Sequence, residues 1–299
     1  MENNDRYILA KSILLSAIII SVAWVYTVKL KSGSVSSPDK NISSDGYVDD
    51  LEEKVLPSTG ATLPVKWGDL GKKLVSTGVI DREKFSALYS ERGGLSQDEL
   101  AYLNETVNQD MVMTSYNAPF LLNLFWALAL GNESDTLKKG LMSDSRYGGA
   151  GNFASTGGWT LASGEAMQHY ARHPFITLTP DQQKRVDLVA SDIYRPCCDN
   201  PTNFPDCNHG MAMLGLLELM ASQGVSESDM YRTALEVNAF WFPQEYLTIA
   251  GFFQKRGVEW ESVNPKEVLG SNYSSASGYR RILSQVQPPE KKSSGGCGV

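Results

Sequence analysis

Residues 120–130 read FLLNLFWALAL, with Asn117 and Pro119 just ahead of them and Gly131 just behind. Proline inside the start and glycine past the end is the punctuation of a helix. The run is apolar on every side, so it has no face to show to water and belongs at the centre of a folded domain. As a helix it rises only about 16 Å, too short to cross a bilayer.

Outward from this centre the punctuation stays helical. Ser96 and Glu99 form a capping box ahead of ELAYLNETV. Thr179, Pro180 and Gln182 announce the helix DQQKRVDLVASDIY, in which Val186, Val189 and Ile193 share a face. Met211 to Met220 forms another apolar helix closed by Gly224, Ser226 begins one that runs through Phe240, and Pro243 starts one that ends near Gly257. Long alternating segments and β–α–β alternation are missing. The expected fold class is therefore all-α: one multi-helix domain over residues 63–287. Within it, VKWGDLGKKLVSTGVIDREKFSALYSERGG (residues 65–94) reads as a separable helical pair.

The ends differ in character. Ser12 to Val28 (SILLSAIIISVAWVYTV) is uncharged, and Trp24 and Tyr26 near its outer end suit a membrane interface. A signal-anchor transmembrane helix over residues 1–30 is expected, with a cleaved signal peptide as the rival. Arg6 and Lys11 before the span balance Lys29 and Lys31 after it. The short leader then places the large domain extracytoplasmic, tied to the cell membrane by a single pass. Residues 31–62, rich in Ser, Gly, Asp and Pro, read as a disordered tether, and residues 288–299 read as a flexible tail. The chain of 299 residues carries a net charge of −7 and no long basic run, which argues against a nucleic-acid partner.

Two stretches bear on chemistry. In GGAGNFASTGGWT, Gly149, Gly151 and Ala154 match the short dinucleotide fingerprint, but SDSRY ahead of them is no buried strand. A loop rimming a pocket is the better reading. The second stretch is stronger. All three histidines of the chain (His169, His173 and His209) and three of its four cysteines (Cys197, Cys198 and Cys207) fall within 41 residues, leaving only Cys297 outside. Random scatter seldom does this.

Glu165, His169 and His173 are four apart, so a helix would put them on one face as two imidazoles with a carboxylate behind, although Pro174 would fray its end. The plain alternative is a polar, solvated face. In PCCDNPTNFPDCNHGM the prolines and asparagines make a structured turn, with Asp206 expected as N-cap and Cys207 and His209 in the first turn of the next helix. A helix N-terminus favours a thiolate, the form that binds metal. Adjacent cysteines rarely both reach one ion, so Cys198, Cys207 and His209 are the first candidates and Cys197 substitutes for its neighbour. Met211 and Met213 offer soft thioethers, although methionine at the start of an apolar helix is usually core filler. The donor types suit Cu(I) or Zn(II).

The competing expectation is a non-catalytic scaffold or interaction domain stapled by disulfide. A Cys198–Cys207 bridge would stabilise it by about 2–3 kcal/mol. A third is an enzyme with its pocket at the glycine-rich loop and the histidine helix. The C-x-x-C, C-x-x-C-H, H-E-x-x-H and G-x-S-x-G signatures are all missing.

Overall fold

A computed structural model of the chain describes residues 44–286. In chain order the regular elements begin with α1 (Ser44–Val55), β1 (Ala61–Gly68), α2 (Leu70–Ser76), α3 (Arg82–Leu88), α4 (Gln97–Asn104) and β2 (Val107–Met113). The central helix α5 (Ala118–Gly131) follows, then α6 (Asp135–Lys139), α7 (Ala154–Gly157), α8 (Pro180–Asp192) and α9 (Asn208–Ser222). The chain continues through α10 (Glu227–Trp241), α11 (Pro243–Gln254), α12 (Pro265–Leu269), α13 (Ser271–Ser274) and α14 (Ala276–Leu283).

The apolar run at 120–130 is buried on nearly every side, Leu122 alone being partly exposed, as its composition requires. Its main partner is α9, itself apolar on nearly every side. The two backbones approach so closely that a Cβ on Gly215 would collide with the Phe125 carbonyl. Two polar side chains inside this layer donate hydrogen bonds: Asn123 Nδ2 to the Tyr89 hydroxyl at 2.8 Å, and Trp126 Nε1 to the Ser155 carbonyl at 2.6 Å. The capping boxes at Ser96/Glu99 and Thr179/Gln182 both form with their reciprocal bonds. Local sequence and tertiary structure agree there.

Three expectations change. First, the described residues are mostly helical but not all-α. Strands β1 and β2 pair antiparallel, Ala61 opposite Met113 and Leu63 opposite Met111, with irregular register from Leu63 to Gly68. Ala61, Leu63, Val65 and Trp67 point into the core while Thr62, Pro64 and Lys66 face out, a period of two over a strand length. Second, of the expected tether only residues 31–43 lie outside the described residues; from Ser44 onward it holds α1 and the start of β1. Val55 is buried, and Leu51 and Leu56 pack on the core, which supplies apolar burial that the composition of the whole segment hides. The helical pair at 65–94 is likewise not separable, because Trp67 packs edge-on against Phe125 and Phe85 against Phe120.

Third, the single-pass placement with an extracytoplasmic domain is corrected. Among the described residues no helix is long and apolar enough to cross a membrane. The stretch Ser12–Val28 and the tail with Cys297 lie outside the described residues.

Candidate metal centre

The site begins where α8 ends. Its C-cap Ile193 is extended, and the Ile193 carbonyl accepts from both the backbone N–H (2.8 Å) and the hydroxyl (3.0 Å) of the buried Thr202. Tyr194 N donates to Leu269 O at 2.8 Å, Ala276 N to Cys198 O at 2.9 Å, and Ser277 N to Asp199 Oδ1 at 2.7 Å. The turn from Arg195 to Asp206 is thus pinned at both ends and along one side. It hands the chain to α9 with Cys207, not the expected Asp206, as N-cap: the Cys207 sulfur accepts from Gly210 N at 3.4 Å.

Asp206 has other work. Its Oδ1 lies 2.6 Å from Arg195 Nη2, and its Oδ2 accepts from Asn200 Nδ2 at 2.8 Å. Arg195 is the residue that sequence reasoning missed. The guanidinium is buried at 1% exposure and donates to Asn200 O (2.9 Å), Phe204 O (3.4 Å) and, through Nε, to Cys207 Sγ (3.1 Å). A Cβ on Gly210 would fall about 2.5 Å from the guanidinium carbon, so glycine there makes room for it. The one local signal was its position directly before PCC, since a charged residue beside soft donors is a candidate counter-ion.

The three described cysteines are free thiols. Cys197 Sγ lies 3.6 Å from Cys207 Sγ. Thiol hydrogen bonds from Cys197 and Cys198, joined by the Arg195 charge, hold Cys207 well below the ordinary thiol range, against the opposing effect of burial. Hydrogen bonding with Cys198 and Cys207 pushes Cys197 the other way. Cys198 moves up to about 11; its bond with Cys197 pulls it down, and the bond to Cys207 together with burial outweighs that pull. The cluster therefore concentrates its negative charge on Cys207, which sits against Arg195.

His209, in the first turn of α9, is 4% exposed, and its ring packs on Phe242 (centroids 4.4 Å) and edge-on to Trp241. Burial lowers it to about 4, so at neutral pH it is an uncharged imidazole. Its Nδ1 is buried without a hydrogen-bond partner. Donor atoms of Cys197, Cys207 and His209 lie within 4.8 Å of one another, as do those of Cys198, Asp206 and Cys207. An ion central to a triangle of that side, the largest the donors allow, is about 2.8 Å from each corner, about 0.5 Å beyond a zinc–sulfur bond and about 0.7 Å beyond a zinc–nitrogen bond, so the donors must draw in slightly to bind it. The neighbour that accompanies His209 is Cys197, where sequence order of preference had Cys198.

The remaining candidates stand apart. Met211 is fully buried, packed with Met213 in the core. His169 and His173 do meet, ring centroids 5.5 Å apart and Nδ1 to Nε2 at 3.3 Å, but no helix brings them together. Glu165 caps a three-residue 3-10 turn, Ala171 takes a positive φ of 52°, and His173 is drawn to the end of α5, where His173 N donates to Gly131 O. His169 and His173 belong to neither donor group around Cys207. The glycine-rich loop has no strand leading into it. It borders the cysteine turn, with Ser155 N donating to Asp206 O at 3.1 Å and Phe153 and Tyr147 packed on Phe204.

Compared with protein families, with curated proteins and with solved structures, the chain matches none.

Proposed function

We propose that this protein binds a soft or borderline transition metal ion, Cu(I) or Zn(II), at the start of α9 through Cys207, His209 and Cys197. The observation that carries the reading is the convergence of two sulfurs and one imidazole nitrogen within 4.8 Å. Support comes from the buried Nδ1 of His209, which lacks a partner in a site otherwise rich in hydrogen bonds. Cys198 and Asp206 share Cys207 as a second donor set and supply a fourth ligand if the ion requires one.

Between the two metals, the donor set favours Cu(I). Two sulfurs and an imidazole suit a soft monovalent ion, and the fixed positive charge of Arg195, 3.1 Å from the Cys207 sulfur, opposes a divalent ion more strongly than a monovalent one. Purified under reducing conditions, the protein is expected to take up about one equivalent of metal, released by chelator. Cys207→Ser abolishes uptake because it removes the sulfur common to both donor sets, and Cys297→Ser leaves it intact. Uptake that survives Cys207→Ser overturns the proposal.

The 3.6 Å separation of Cys197 and Cys207 favours a second reading, a helical scaffold stapled by one disulfide. Intact mass without reductant separates the two: a loss of two hydrogens with no metal adduct selects the staple.

A further inference from the structure

A pocket of about 510 Å³ opens between α6, the segment 174–178 and the first half of α8, and none of the cysteines or His209 lines it. Glu218, from the middle of the apolar helix α9, forms part of its lining and is wholly buried. Asn132 Nδ2 donates to Glu218 Oε2 at 2.8 Å and the Ser134 hydroxyl lies near the carboxyl group, while Oε1 is buried without a hydrogen bond of good geometry. A carboxyl group in the main helix interface is costly to keep there, and half of its hydrogen-bonding capacity is unused. Burial pushes Glu218 up to about 7, so a donor of positive charge arriving through the pocket would find a group ready to ionise.

The mouth carries a surplus of acid. Glu133 pairs with Lys138, and Asp135 with Lys139 at 2.8 Å. Asp187 receives only neutral donors, Thr136 Oγ1 at 3.0 Å and Gln183 Nε2 at 2.9 Å. Lys184 is the cation in the lining and is exposed. A second pocket of about 300 Å³ shares Asp135, Gln183 and Asp187 with the first and reaches Asn203, whose Oδ1 is also buried without a partner. Unused acceptors thus occur along both pockets. The carboxylates do not converge as metal ligands do: among the described residues, sets of three ligand atoms within 4.8 Å occur only around Cys207. The walls Pro174, Ile176 and Leu178 are apolar. Spaced acceptors with apolar surface between them match an organic cation better than a metal ion.

We infer that this pocket binds a linear aliphatic diamine or polyamine, one ammonium group on Glu218, another at Asp187, and the methylene chain along Pro174, Ile176 and Leu178. Each ammonium supplies three N–H donors, which Glu218 Oε1 and Asp187 accept as charge-assisted bonds.

Calorimetric titration of the full chain with putrescine and spermidine tests this, with butanediol as the uncharged match for putrescine. The expected result is saturable binding of both amines and none of the diol. Glu218→Gln and Asp187→Asn should each weaken binding at least about tenfold, while Asp98→Asn, on the exposed start of α4, leaves it unchanged. Because Glu218 is buried, circular dichroism first establishes that its variant folds; if it does not, the exposed Asp187 decides alone. Absence of saturable amine binding overturns the inference. So does amine binding unchanged by Asp187→Asn, or displacement by magnesium at equal concentration, which would mark simple surface attraction.

Discussion

Replacing Arg195 with methionine removes a cation while nearly preserving the length of the side chain. The guanidinium is almost fully buried, and its partners are the Asp206 carboxylate at 2.6 Å, the carbonyls of Asn200 and Phe204, and the Cys207 sulfur at 3.1 Å. After the change the Asp206 carboxylate keeps only Asn200 and the weaker thiol donor of Cys198, and the two carbonyls lose these donors inside the turn. Breaking a buried pair by removing one partner costs about 3–5 kcal/mol, because the remaining charge is left uncompensated. At about 2–4 °C per kcal/mol for a domain of this size, Arg195→Met should melt roughly 6–20 °C below the wild type. The loss should be accompanied by a change in thiol chemistry. Cys207 loses a hydrogen bond and a favourable charge, so the pH midpoint of its alkylation by iodoacetamide should rise. Arg195→Lys should fall between the two proteins in both measurements, since it restores the charge without the fork of donors. An Arg195→Met protein that melts within about 2 °C of the wild type, with an unchanged alkylation profile, refutes the reasoning.

Two further outcomes follow from the helix interface. Glu218 is raised by burial from 4.5 to about 7, so between those values the folded protein holds a proton that the unfolded chain releases. Its contribution to stability is therefore complete below pH 4.5 and is lost as pH rises through 7, by about 3 kcal/mol in all. Urea midpoints measured across that range should fall with pH in the wild type and fall less in Glu218→Gln; parallel slopes exclude the assignment. Gly215→Ala drives a methyl group into the Phe125 carbonyl, so α5 and α9 must separate, at a cost of about 1–3 kcal/mol. Chemical denaturation reads this directly, and a variant as stable as the wild type means that the two helices are not held as closely as described.

Much of the helical framework was legible before any tertiary structure. The capping boxes at Ser96/Glu99 and Thr179/Gln182 satisfy donors within four residues of themselves, so their effect does not wait on the rest of the chain. The apolar run at 120–130 likewise has one outcome in water, burial at the centre. The alternation of Ala61, Leu63, Val65 and Trp67 escaped the sequence reading, because it runs across Pro64 and lies beside a polar segment that looked unable to order itself. Strand β1 exists because β2, some forty residues on, supplies its hydrogen bonds. No local rule states that pairing.

The candidate site divides in the same way. That Cys207 and His209 belong together at the start of a helix follows from their spacing and the proline-rich turn before them. Three things were decided only by the tertiary structure: that Cys197 is the neighbour that joins His209, that Arg195 turns inward to Cys207, and that His169 meets His173 through a turn. Helix caps and apolar runs are settled by neighbours a few bonds away along the chain. The direction of a side chain in an irregular turn, and the charge state of a thiol, depend on which distant segments exclude water from it, and only the packed chain determines that.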